Sequence, residues 1–265
     1  MKKQQPKFTK NFGIILLLIA FILEVVYLGM YIPQPKQKQQ PTVIEAKEEK
    51  QEKTTPKEEP KEPEPEPEPA PPPYYNILPE VRANYGNPGI MGRLEVPNIG
   101  IDTYVARADN NSYYLEYNYY NQRDGLGAPF FDYRNVDLNN DKQINIYGHN
   151  TQNERFFSVL PFKKLEAYAN QDVFNSYKDI YLSIDERQVH YRIIAIKIIN
   201  DSDNEHMKIG FKSKEDFLNH ANRLLQNSLY HEEPLKITAK DRLIVLQVCY
   251  YNPPDTYLLV IGKEV

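Results

Sequence analysis

The only cysteine in this 265-residue chain is Cys249. It ends the apolar run Leu-Ile-Val-Leu-Gln-Val at 243–248 and precedes Tyr-Tyr-Asn-Pro-Pro-Asp, a strand end where a loop begins. With no disulfide partner in its own chain, it is either a reactive thiol or a small buried hydrophobe. Of the five histidines, His149 stands apart, because it closes the run Ile-Asn-Ile-Tyr-Gly at 144–148. Gly148 is expected to let the backbone bend there, putting the imidazole at a strand terminus. His190 falls inside a strand and His220 inside a helix. A Cys–His pair is the smallest nucleophile-plus-proton-shuttle unit: imidazole takes the thiol proton and later protonates a leaving amine. One hundred positions separate His149 from Cys249, and spacing alone does not bring them together.

Other chemistries find little support. A single cysteine excludes CxxC redox chemistry and cysteine-rich zinc sites. The segment Asp137-Leu-Asn-Asn-Asp141 lacks the glycine and distal glutamate of a calcium loop and reads as a surface turn. Neither a phosphate-cradling glycine loop nor HExxH is present, so no cofactor and no metal are expected. With 32 Lys+Arg against 36 Asp+Glu the net charge is −4, which argues against a nucleic-acid partner.

The elements that must position the thiol and the imidazole lie in residues 74–265, long enough for a real core. Alternating runs at 91–96, 101–106, 128–133, 144–148, 180–184, 189–196, 243–248 and 257–261 are rich in β-branched and aromatic residues, bounded by Gly, Pro, Asn and Asp. They predict about eight strands, with a hairpin turn over 185–188. The expected core includes Leu94, Val96, Ile101, Phe130, Ile144, Ile146, Leu182, Ile193, Ile244, Leu246 and Leu259. Ser213-Lys-Glu-Asp216 opens a helix whose apolar residues recur at three- and four-residue spacing to Leu229. Helices are also expected over 74–85 and 155–168, the latter interrupted by Pro161. The fold class is mostly β, a mixed, largely antiparallel barrel or sandwich with inserted helices.

The first 73 residues are a different polymer, holding 13 of the 21 prolines. Residues 1–11 carry four lysines and no acid, and read as a cytoplasmic basic tail. Residues 12–32 are almost all apolar; as a helix they would span roughly 31 Å, which predicts an uncleaved transmembrane anchor with the N-terminus inside. Residues 33–73, rich in Pro, Glu and Lys, predict a disordered spacer. The expected localisation is therefore the cell membrane, single-pass through residues 12–32, with residues 74–265 extracellular.

Four segments in order, YYLEYN (113–118), GAPFFDYRN (127–135), NIYGHN (145–150) and KDRLIVLQVC (240–249), resemble the class B sortases, membrane-anchored cysteine transpeptidases of Gram-positive surfaces. The resemblance covers residues 77–265 and includes the helix at 213–229 between late strands. It implies a closed eight-stranded sortase-type β-barrel with an N-terminal helix. It also implies that Cys249 is the nucleophile and His149 the general acid/base, and that Asn111, Leu115 and Tyr147 line the substrate groove. The family's arginine on the last strand falls on Tyr257, so one neutral donor stands where a cationic fork is usual. Val248 likewise replaces a threonine beside the thiol.

The implied reaction is cleavage of a sorting motif in secreted surface proteins through a thioacyl intermediate on Cys249, then transfer to an amine of a cell-wall precursor or a protein. The alternative is a degenerate sortase fold that binds sorting peptides with little or no turnover, because the arginine is missing. An L,D-transpeptidase also has His before Cys, but requires a glycine directly before the cysteine, where this chain has Val248.

Overall fold

The computed structural model describes residues 74–265. The first helix, α1 (Leu78–Tyr85), has Pro79 in its first turn and stops at Gly86, whose left-handed φ of 62° returns its N–H to the Ala83 carbonyl. Strands β1 (Ile90–Val96) and β2 (Ile101–Ala106) form an antiparallel pair, and α2 (Tyr113–Glu116) follows. The chain then runs through β3 (Phe130–Phe131), β4 (Gln143–Gly148), α3 (Gln171–Ser176), β5 (Asp179–Ser183) and β6 (Gln188–Asn200). It ends with α4 (Lys214–Leu225), β7 (Tyr230–His231), β8 (Leu243–Tyr250) and β9 (Thr256–Glu264).

The sheet runs β5-β1-β2-β3-β4-β8-β9-β6, and a β5–β6 pairing closes it into an eight-stranded barrel; β7 is a short addition on β6. Closure leaves no free sheet edge around the ring. The pairs β2–β3 and β4–β8 are parallel, and the rest are antiparallel.

All eleven expected core residues are buried. They divide between two sides of the sheet. Ile144, Ile146, Ile244, Leu246, Val248, Leu258 and Val260 point into the barrel. Leu243, Val245, Leu259 and Ile261 point outward, beneath Phe217, Ala221, Leu224 and Leu225 of α4. Leu259 is thus buried outside the barrel. Alternation along β9 puts Tyr257 on that outer face, not inward at the barrel's mouth as its shared face with a core residue suggests.

Other local expectations shift for identifiable reasons. The strand expected over 128–133 shrinks to two residues. Pro129 has no N–H, and the Asp132 carboxylate caps the Arg134 N–H in a turn. The helix expected to Leu229 stops at Leu225 because Asn227 takes a positive φ and Leu229 hydrogen-bonds to Ile196 of β6. Residues 154–156 and 161–169 form two 3₁₀ segments, divided before Pro161. In the 137–141 turn, Asp137 accepts from the Asn140 backbone.

The expected membrane localisation needs correction. Among the described residues no helix is long and apolar enough to cross a membrane. The longest, α4, has 12 residues, about 18 Å, and is apolar only on the face it packs against the sheet. The tail (1–11), the expected anchor (12–32) and the spacer (33–73) lie outside the described residues.

Candidate active site

The parallel β4–β8 pairing assembles the site. Its register sets Tyr147 beside Gln247 and Gly148 beside Val248, so His149 and Cys249 leave the sheet next to each other on its outer face. On the other side of β8, Cys249 pairs directly with Tyr257 of β9, a cross-strand distance of ~5 Å between Cβ atoms. A cavity of about 320 Å³ opens over this end of the sheet, and its walls include Asn111, Leu115, Tyr147, His149, Cys249 and Tyr257. All six residues singled out in the sequence therefore border one space. Phe130, Met207 and Gln247 complete much of its wall.

Gly148 is needed for space, not for a bend: a Cβ there would collide with the ring of Phe162. Gly127, with φ +58°, lets its loop pass against the Tyr114 carbonyl, close to the His149 ring. His149 Nε2 lies 2.8 Å from the Leu115 carbonyl oxygen. That oxygen can only accept, so Nε2 carries a proton and Nδ1 is the free nitrogen of the neutral ring. Leu115 thus contributes a backbone partner for the imidazole as well as an apolar wall.

Burial pushes the Cys249 thiol above its ordinary range, against a smaller opposing effect from its own backbone N–H. Burial, then the nearby Cys249 and Asp201, push the Tyr257 phenol up as well. None of the described residues lining the cavity is a lysine, arginine or carboxylate. Arg123 does not reach it; its guanidinium pairs with Glu116 at 3.1 Å on the surface. Any negative charge developing here must be met by neutral donors or by a protonated His149.

Asn111 and Tyr147 face the cavity with their polar groups already engaged. Tyr147 Oη donates to Asp132 Oδ2 at 2.8 Å, and Asn111 Nδ2 donates to the same oxygen at 3.0 Å. Asn111 Oδ1 accepts the Tyr133 N–H. Burial alone would raise Asp132, but hydrogen bonds from Arg134, Tyr147 and Asn111 outweigh it and hold the carboxyl below its usual range. These two cavity residues are thereby locked as shape, not offered as donors.

Sequence reasoning missed Asn150. Its Nδ2 donates to the Cys249 carbonyl at 2.7 Å and to Glu166 Oε1 at 2.5 Å, tying together the strand ends that carry imidazole and thiol. Its place directly after His149 was the available signal. Met207 and the Leu115 carbonyl had none, being the last side chain of a short 3₁₀ segment and a backbone atom.

No family model matches the chain. It is 27% identical over 164 residues to sortase B of Listeria monocytogenes, covering 62% of this chain and 63% of that protein, just under two thirds of its length. Sortase B of Staphylococcus aureus is 21% identical over 179 residues, 67% of this chain and 70% of that one. Among solved structures, Clostridium perfringens sortase B superposes with a TM-score of 0.63 at 26% identity, covering 70% of this chain and 98% of that one.

Proposed function

We propose, from its similarity to the sortase B proteins, that this chain is a class B sortase and that residues 74–265 are the catalytic domain of a thiol transpeptidase acting on a sorting motif in secreted surface proteins. The observation that carries this reading is one cavity bordered by a free thiol, an imidazole from the neighbouring parallel strand and a phenol from the strand opposite.

In the free protein the thiol is protonated, because burial disfavours the thiolate. His149 Nδ1 takes its proton as Cys249 Sγ attacks the peptide carbonyl. The imidazolium, steadied by the Leu115 carbonyl at Nε2, then protonates the leaving amine and a thioacyl enzyme remains. An incoming amine attacks that thioester, and His149 reverses its role. The Tyr257 hydroxyl is the donor assigned to the oxyanion, in the place of the family's arginine.

A second reading, a peptide binder with little turnover, draws on two observations: no cationic side chain among the described cavity residues, and a thiol raised by burial. Incubating the full-length chain with a peptide library and analysing Cys249 by mass spectrometry separates the two. A transpeptidase gives a thioacyl adduct that an added amine discharges. Peptides that co-purify with unmodified Cys249 favour the binder.

A further inference from the structure

Beyond the Asn150 clamp lies a second cavity of about 410 Å³, whose walls include Phe157, Lys163, Glu166, Tyr250 and Tyr251. A carboxylate among three aromatic rings is the set of groups that holds an ammonium, by charge and by the negative faces of the rings. The chain already places one there. Lys163 Nζ lies 2.6 Å from Glu166 Oε2 and 4.3 Å from the centre of the Phe157 ring. The cavity also lies against the backbone of the strand end that carries the reacting sulfur, whose own side chain points to the other face of β8. Tyr250 is the residue after Cys249, and the Tyr251 hydroxyl donates to the Asn150 carbonyl at 3.1 Å. Asn150 Nδ2 serves both Glu166 Oε1 and the Cys249 carbonyl, so these two oxygens are at most about 5 Å apart.

We propose that this cavity docks the amine acceptor of the transfer step: a primary ammonium held by the Glu166 carboxylate against Tyr250, Tyr251 and Phe157, with Lys163 standing in for it in the free protein. The inference rests on the transpeptidase reading and adds to it the charge of the acceptor and the side from which it enters. The docked ammonium releases one proton to water and attacks as the free amine. The C–N bond forms, and the C–S bond breaks with its electron pair going to Sγ. The second proton leaving nitrogen passes through His149 to that sulfur.

The test follows the thioacyl form of the full-length chain as it partitions between water and an added amine, with acylation timed separately by the mass of the Cys249 adduct. Triglycine represents a peptide N-terminus, and Nα-acetyl-lysinamide a lysine side chain; the lower KM names the source. Glu166→Gln keeps an oxygen for Asn150 but removes the charge, and is expected to raise the amine KM about tenfold more than it alters acylation. Lys163→Met removes the internal competitor and is expected to lower that KM about threefold. Opposite directions are the signature, since loss of a merely structural ion pair would move both variants the same way. Equal or absent KM changes, with the thioacyl form still hydrolysed, overturn this inference alone. Failure of the parent protein to form any thioacyl adduct overturns the transpeptidase reading, and this inference with it.

Discussion

The two faces of β4, β8 and β9 are written in the same alternating residues and do different work. The inner face is aliphatic along its length, from Ile144 and Ile244 to Val248 and Leu258. The outer face is graded. Beneath α4 it is aliphatic at Leu243, Val245, Leu259 and Ile261. Beside these it carries a buried polar row, Gln143, Asn145 and Tyr147, and at its open end His149, Cys249 and Tyr257. One face therefore supplies generic burial, and the other holds the imidazole, thiol and phenol that border the candidate site. The lesson is physical: side chains that alternate across a packed sheet give two independent surfaces at ~3.3 Å per residue, so chemistry on one need not disturb packing on the other.

That independence is open to attack from both sides. The largest effect is expected at the open end of the outer face. Cys249→Ala should abolish the thioacyl adduct, and His149→Ala should lower its rate of formation by roughly 10³-fold or more. Both variants should keep the parent's urea midpoint, read by circular dichroism. A collapse of stability in either would show that the two faces are coupled. The complementary change is Ile146→Ala on the inner face, expected to cost about 2–5 kcal/mol in urea unfolding, because it opens a cavity in the barrel. Its acylation rate per folded molecule should stay close to the parent's.

Tyr257 comes next in size. Loss of one oxyanion donor typically costs ~10²–10³ in turnover, and a neutral phenol belongs at or below the lower bound. Tyr257→Phe is expected to slow acylation by about tenfold to a hundredfold. Tyr257→Arg, which restores the cationic fork, is expected to accelerate it. Unchanged rates in the phenylalanine variant would reduce Tyr257 to a packing residue, leaving backbone N–H groups to meet the oxyanion.

The barrel was legible because its strands alternate, and α4 because Ser213 caps it, accepting the Asp216 N–H at 3.1 Å. What alternation could not say is which face turns inward. In 243–248 both parities are apolar, since one packs in the barrel and the other under α4. That is why sharing a face with the core residue Leu259 does not put Tyr257 inside the barrel. The β4–β8 pairing left no local trace either, because its partners are 100 positions apart and joined through β5, β6 and α4. Only the resemblance set His149 beside Cys249 in advance. Glu166 and Asn150 were invisible for a different reason: each acts through hydrogen bonds formed only after distant strand ends meet.

The smallest expected effect concerns pH, and it again separates the faces. The inner cluster holds no group that titrates near neutrality, whereas the outer face packs against two buried histidines. His206 Nε2 lies 2.7 Å from Gln247 Oε1, a cavity residue, and His206 precedes Met207, another. His220 lies 2.6 Å from Gln143 Oε1 and 2.8 Å from Glu205 Oε1. Burial pushes both histidines below their ordinary value, outweighing the Gln247 hydrogen bond and Asp203 for His206 and the Glu205 contact for His220. The folded protein thus prefers His206 neutral, with its Nε2–H given to Gln247, while the unfolded chain binds a proton there from about pH 6.5 downward. Its contribution to stability is complete above that pH and declines as pH falls from 6.5 toward the lowered folded value. Urea midpoints measured between pH 8 and 5 should therefore fall on the acid side, and His206→Asn should flatten that slope. Ile146→Ala should shift the whole curve down without changing it. If His206→Asn and the parent show the same slope, the acid sensitivity does not originate at His206, and the outer face is no more pH-dependent there than the inner one.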